Sequence, residues 1–152
     1  MSEPVIRPAR PEEAPELVPL YDWLFAPPGS DPPDWDPEVA AERLAIAASG
    51  EASVVLVAEA DGRLAGICTA YIDLLSVRYG LRCWVEDLAV DPELRSRGIG
   101  SRLLAAARDW ARERGASHLE LDSGEKRPDA HRFYEREGAV WPSRQFTWLL
   151  DE

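Results

Sequence analysis

The chain is short of several residue types, and each shortage excludes something. Its 152 residues hold two cysteines, two histidines, one methionine and one lysine. Cys68 and Cys83 are too few and too far apart for a metal motif or a disulfide framework. No apolar run approaches the roughly 20 residues of a membrane span. Met1-Ser2-Glu3-Pro4 lacks a basic stretch followed by an apolar one, so no secretory signal is visible. The expectation is a cytoplasmic protein with no membrane partner. Internal repeats and low-complexity tracts are absent too, and the length suits one domain, residues 1–152, with its own core.

Positive charge is also scarce. The net charge is −11, which argues against nucleic acid as a partner. Arginine supplies nearly all the cations, a composition that points to a GC-rich bacterial genome. The distribution says more than the total. Residues 1–62 carry three arginines against 13 acids, whereas residues 95–114 carry six arginines against Asp109 and Glu113. A basic patch on an acidic protein suits an anionic cofactor. The acidic remainder either steers a cationic substrate or keeps the chain in solution.

The basic patch opens with the most informative stretch, Leu88-Ala-Val-Asp-Pro-Glu-Leu-Arg-Ser-Arg-Gly-Ile-Gly100. It predicts a strand, a short loop and a helix start in one piece. A helix N-terminus offers unpaired N–H groups and the positive end of the dipole. Gly98 and Gly100 let the backbone approach a ligand, and Arg95 and Arg97 add charge. Together these make a site for a phosphate or pyrophosphate.

Around this stretch the elements are predicted in the order β-α-α-β-β-β-α-β-α-β-β. Residues 5–7 form a first strand. Residues 11–25 have helical apolar spacing, broken by Pro15 and Pro19. A proline-rich loop follows, and Asp36 then caps a helix with Pro37 at its first position, running to Ser49. Residues 53–60 and 63–74 flank an Asp61-Gly62 hairpin turn. Residues 81–90 form the next strand. Ile99, Leu103, Ala107 and Trp110 line one face of a helix stopped by Gly115. Residues 118–122 read as a strand, residues 128–137 as a short helix, and residues 140–141 and 146–150 as closing strands. The fold class is α/β with a mixed, mainly antiparallel sheet and helices on both faces. The unit spanning residues 81–122 is a parallel strand-helix-strand crossover.

Arg95-x-x-Gly98-x-Gly100, between a strand and a helix, resembles the acetyl-CoA signature of the GCN5-related N-acetyltransferase (GNAT) family. Ala130-His-Arg-Phe-Tyr-Glu-Arg-Glu-Gly-Ala139 resembles that family's second signature, and the two stand in the expected order. The resemblance covers nearly the whole chain and implies a central parallel strand pair that splays apart. It implies that the main chain of Arg95, Ser96, Arg97, Gly98, Ile99, Gly100 and Ser101 cradles the pyrophosphate of coenzyme A. Leu88, Ala89 and Val90 would pair with the pantetheine arm, and an N–H near Leu88 would polarise the acetyl carbonyl. Tyr134 matches the tyrosine that protonates the departing thiolate. Many members carry an asparagine seven residues before that tyrosine. Here the position is Arg127, so the asparagine's role does not transfer.

Glu86 is the candidate base. An ammonium must lose a proton before it attacks a thioester, and a carboxylate near the acetyl carbon can accept it. Glu86 and Asp87 are strand neighbours, so their side chains face opposite ways unless a bulge intervenes. The Glu-Asp pair is similar to the corresponding stretch of diamine acetyltransferases, which favours a polyamine-like acceptor. Tyr21, Trp23 and Trp35, near Asp22, Asp34 and Asp36, could grip an amine by cation–π contact or simply pack in the core. His118 and His131 read as structural and solvated, respectively. Cys68 or Cys83 offers a covalent acetyl-enzyme route with no clear activating context.

The expected activity is direct acetyl transfer from acetyl-CoA to a primary amine of a small molecule, catalysed by Glu86 and Tyr134. No metal is implied. The alternatives are a non-catalytic acyl-CoA sensor and a protein or peptide N-acetyltransferase. A dinucleotide-binding fold fits poorly, because no Gly-x-Gly-x-x-Gly follows the first strand. An exposed edge strand could pair two copies as a homodimer.

Overall fold

The Asp61-Gly62 turn organises the sheet. Both residues take positive φ, 53° and 78°, as a two-residue hairpin of this type requires. They join β2 (Ser53–Ala60) to β3 (Arg63–Ile72) in antiparallel register. In the computed structural model, which describes residues 3–150, five strands lie in the order β1-β2-β3-β4-β5. β1 (Val5–Pro8) pairs antiparallel with β2, and β3 pairs antiparallel with β4 (Arg82–Val90). Only the pairing of β4 with β5 (His118–Glu120) is parallel. The mixed, mainly antiparallel sheet is as expected.

Alternation divides the sheet into two faces, and both are covered. Val55 and Val57 on β2, Ile67 on β3 and Ala89 on β4 join a buried cluster with Leu17, Leu20, Tyr21 and Leu44. The last four come from α1 (Ala14–Leu17), a 3₁₀ turn at Val18–Leu20, α2 (Tyr21–Phe25) and α3 (Pro37–Ser49). Pro15 and Pro19 break the first helical region into these pieces, as their missing donors dictate. Asp36 caps α3 by accepting from the Glu38 N–H at 2.9 Å.

The opposite face belongs to α4 (Ile99–Glu113). Ile99, Leu103, Leu104, Ala107 and Ala111 are buried along it. Trp110 is only half-buried, with the Arg114 guanidinium 4.4 Å from its ring centre. Gly66 lets this helix settle onto β3. A Cβ there would meet Leu103 Cδ1 at 2.9 Å and Ile99 Cγ2 at 3.2 Å.

An ion-pair network closes the far edge of the sheet. Arg7 on β1 donates to both carboxylate oxygens of Glu13 at 2.8 Å and also to Glu59 on β2. Glu13 is buried and accepts a further bond from the Arg10 N–H. The Arg7 bond is the main cause that holds its carboxyl down at about 2.

The described residues fall into two units, divided at Glu120 and Leu121. The second contains α5 (Pro128–Arg136), whose Phe133 and Tyr134 rings meet edge-on at 5.3 Å. The expected closing strands are not present there. Residues 140–141 and 146–150 form no ladder, and Val140, Trp141, Phe146, Trp148, Leu149 and Leu150 are exposed. Apolar alternation reports suitability for a half-buried pleated surface, not the existence of a partner edge. The predicted strand at residues 118–122 is also shorter than expected, stopping at Glu120. No helix among the described residues is long and apolar enough to cross a membrane.

Candidate active site

The parallel ladder between β4 and β5 is short. The parallel ladder runs through Arg82–His118, Cys83–Leu119 and Trp84–Glu120, and then stops. Among the described residues, residues 85–90 of β4 are paired in a ladder with β3 alone. The bond from Asp91 N–H to the Ala65 carbonyl, 2.9 Å, fixes the phase of the remaining ladder. In an antiparallel pair, main-chain groups alternate in direction. Ala89 thus turns its N–H and C=O toward Ile67 on β3, while Leu88 and Val90 turn theirs away from β3. Of the three expected pantetheine partners, Leu88 and Val90 are the two whose main-chain groups point away from β3.

β4 leads into a 3₁₀ turn at Pro92–Leu94 and then the loop before α4. Asp91 holds the turn by accepting from the Glu93 N–H at 2.9 Å. Arg95, Ser96, Arg97 and Gly98 are exposed, while Ile99 anchors the helix start in the core. Gly98 is the N-cap, with φ 78° and no side-chain cap. A Cβ at Gly98 would meet nothing within 4 Å. The space in front of the first helical turn is open, and glycine is needed there for its backbone conformation. The N–H groups of Gly98, Ile99, Gly100 and Ser101 precede the first intrahelical donors. This arrangement fits a diphosphate: donors, dipole and arginines at an exposed end.

A bulge sets the face of the two carboxylates. Thr69 pairs with Asp87 and Ala70 with Val85, so Glu86 has no residue opposite. Asp87 is held inward. Its Oδ2 accepts from the Tyr21 hydroxyl at 2.7 Å and from Thr69 Oγ1 at 2.8 Å, while its own N–H donates to Thr69 Oγ1 at 3.1 Å. Glu86 is exposed, and its Oε2 accepts from Trp84 Nε1 at 2.7 Å. Trp84 pairs with Tyr71, two residues along β3 from Thr69, so these groups share the α2 side of the sheet. The strand-neighbour expectation of opposite faces gives way to the bulge. Asp87 is engaged by Tyr21 and Thr69, and Glu86 is the exposed carboxylate of the pair.

Burial pushes the Tyr21 phenol well above its ordinary value, aided by the Asp87 charge. Tyr71, on the exposed end of this face, is raised by burial and by the charges of Glu86 and Asp73. Trp84 and Tyr71 were not among the expected site residues. The spacing of two between Trp84 and Glu86 was the available signal.

Other expected residues fall elsewhere. Trp35 packs edge-on against Phe25 at 4.7 Å and lies 5.7 Å from Tyr21, so it belongs to the core side of α2. Trp23 packs against the same cluster. Cys68 and Cys83 are buried, and burial pushes their thiols up to about 12 and about 11, which disfavours the thiolate that a covalent route needs. His118 Nδ1 lies 2.7 Å from Ser117 Oγ. In the second unit, Tyr134 is half-buried on α5, and His131 Nε2 lies 2.9 Å from the Gly124 carbonyl oxygen.

The family model for acetyltransferases of the GNAT family matches residues 17–139. The chain belongs to that family. This acetyltransferase is 34% identical over 99 residues to an uncharacterized N-acetyltransferase of Bacillus subtilis (strain 168), covering 65% of this chain and 69% of that protein. It is 48% identical over 66 residues to the aminoalkylphosphonate N-acetyltransferase of Salmonella typhimurium, 43% of each chain. In that case the match spans less than half of the relative. Among solved structures, an aminoglycoside N-acetyltransferase in complex with CoA superposes with a TM-score of 0.85 at 18% identity, covering 99% of this chain and 97% of that one. Glucosamine-6-phosphate N-acetyltransferase from Arabidopsis thaliana gives 0.77 at 21%, covering 99% and 100%. At such identities the likeness shows the fold. Family membership makes this an acetyl-CoA-dependent N-acetyltransferase.

Proposed function

We propose that this acetyltransferase acetylates a primary amine on a cationic small molecule by direct attack. The observation that carries the reading is the end of the parallel ladder at Trp84 and Glu120. Beyond it, Leu88 and Val90 direct their main-chain groups away from β3, on a strand leading to the turn at Gly98, which has no side-chain cap. Leu88 and Val90 would take the pantetheine arm, and residues 95–101 the diphosphate. Acetyl-CoA supplies the acetyl group already activated as a thioester.

The chain's own groups would do the rest. The exposed Glu86 carboxylate accepts the ammonium proton, directly or through water. The Leu88 N–H donates toward the position of the acetyl carbonyl oxygen. Tyr134 Oη gives its proton to the departing sulfur, a role that rests on the second family signature. The surplus of acids over bases, −11 overall, favours cations in the encounter.

The test measures free thiol released from acetyl-CoA across a panel of diamines, polyamines, aminoglycosides, amino acids, aminoalkylphosphonates and a lysine peptide. Turnover concentrated on the multiply cationic amines supports the reading. Preference for an aminoalkylphosphonate or a peptide overturns its acceptor class. Binding of CoA without turnover on any amine replaces the enzyme with an acyl-CoA sensor.

A further inference from the structure

Glu86 sits at a bulge, and a bulged residue has no cross-strand neighbour to restrain it. An exposed glutamate has considerable rotamer freedom, which weakens it as a base because the carboxylate must be in place when the amine arrives. This glutamate is restrained from its own strand. Trp84 Nε1 donates to Glu86 Oε2 at 2.7 Å. The Trp84 backbone is paired on both sides, opposite Tyr71 on β3 and in parallel register with Glu120 on β5. It is half-buried, whereas Glu86 is exposed.

We infer that Trp84 is a positioning residue for the transfer: its indole N–H holds Glu86 by Oε2 and presents Oε1 to the acceptor amine. The inference rests on Glu86 as the proton acceptor. An indole nitrogen is a donor only, so it engages a carboxylate without offering a competing acceptor to the ammonium. The bond is charge-assisted and is therefore among the stronger kinds. Trp84 also stands at the last rung of the parallel ladder. The residue that ends the pairing is the one that holds the carboxylate.

The experiment is a double-mutant cycle on the full chain with Trp84→Phe, Glu86→Ala and both together. It uses thiol release with the best amine of the panel. Trp84→Phe keeps a ring and removes the donor. The expected result is a roughly three- to tenfold loss in kcat, the effect of misplacing one catalytic group. The KM for acetyl-CoA should stay within about twofold, and no further loss should appear in the Glu86→Ala background. An equal loss in both backgrounds overturns the inference and leaves Glu86 as base. A silent Glu86→Ala with an impaired Trp84→Phe overturns the base assignment itself. A second measurement needs no turnover and no change at Trp84. The indole N–H resonance of Trp84, followed by ¹⁵N NMR, should shift when Glu86 becomes Ala. An unmoved resonance overturns the inference even if Trp84→Phe fails to fold.

Discussion

The Tyr21 hydroxyl donates to Asp87 Oδ2 at 2.7 Å, joining residues 66 positions apart. Through this bond α2 is tied to the bulge that sets the direction of Glu86. Thr69 completes the arrangement, giving its hydroxyl to the same oxygen and accepting the Asp87 N–H. Removing the donor with Tyr21→Phe leaves a partly buried carboxylate oxygen one bond short. That costs about 1–3 kcal/mol, which corresponds to a Tm drop of roughly 3–10 °C for a chain of this size. Differential scanning calorimetry checks the first effect, and a parallel fall in kcat checks the link to Glu86. Burial pushes the phenol up, so the neutral form is favoured as the pH rises. In an ultraviolet pH titration, Tyr21→Phe should therefore remove none of the phenolate signal that develops at the ordinary tyrosine value. A full one-tyrosine loss of that signal would contradict the buried bond.

Glu13 makes acid stability measurable. Its carboxyl falls from the ordinary 4.5 to about 2, first because Arg7 bonds it and next because the Arg10 N–H does. A depressed folded value means the stabilisation is present above 4.5 and is lost as the pH falls through about 2. The urea midpoint of the wild type should therefore decline through that window. Glu13→Gln should be less stable at neutral pH, with a shallower decline on acidification. Matching slopes for the two proteins would remove Arg7–Glu13 from the explanation.

Gly98 has φ 78° and empty space where a Cβ would stand. A side chain there is strained by backbone conformation, by roughly 1–2 kcal/mol, and would also project into the region proposed for the diphosphate. Gly98→Val should weaken CoA binding more than tenfold by calorimetric titration, while Gly98→Ala should show a smaller loss. Gly66→Ala is the contrasting case. It forces Leu103 off β3 and should cost stability by about 1–3 kcal/mol. Unchanged CoA affinity in Gly98→Val would remove the loop from the binding site.

What could be read from the sequence was local. Asp61-Gly62 carries its turn in two residues, and Asp36-Pro37 carries a helix start in two more. The prolines at 15 and 19 break a helix wherever they fall. The helix start at Gly98 was legible for the same reason, since the glycines and arginines that mark it lie within residues 95–100. The bulge at Glu86 was not legible, because it exists only in the register between β3 and β4. Asp87 reads as a second candidate carboxylate until Tyr21 and Thr69 are seen to occupy it. The apolar residues near the C-terminus misled for a related reason. Residues 146–150 have the pattern of a strand without a ladder to join. Partners distant in sequence decided each of these outcomes.

Tyr134 can be tested for its proposed chemistry independently of binding. A phenol that protonates a departing sulfur contributes to the transition state and little to the ground state. Tyr134→Phe should therefore lower kcat by about a hundredfold or more, while the dissociation constant for CoA stays within about twofold. Equal losses in both would mean that the ring packs and does not react. The leaving group offers a sharper criterion. A thiol with a lower pKa needs less help to depart, so the deficit of the variant should shrink with an acetyl donor built on a more acidic thiol. A deficit that stayed constant across donors of differing thiol acidity would show that proton donation to sulfur is not what Tyr134 contributes.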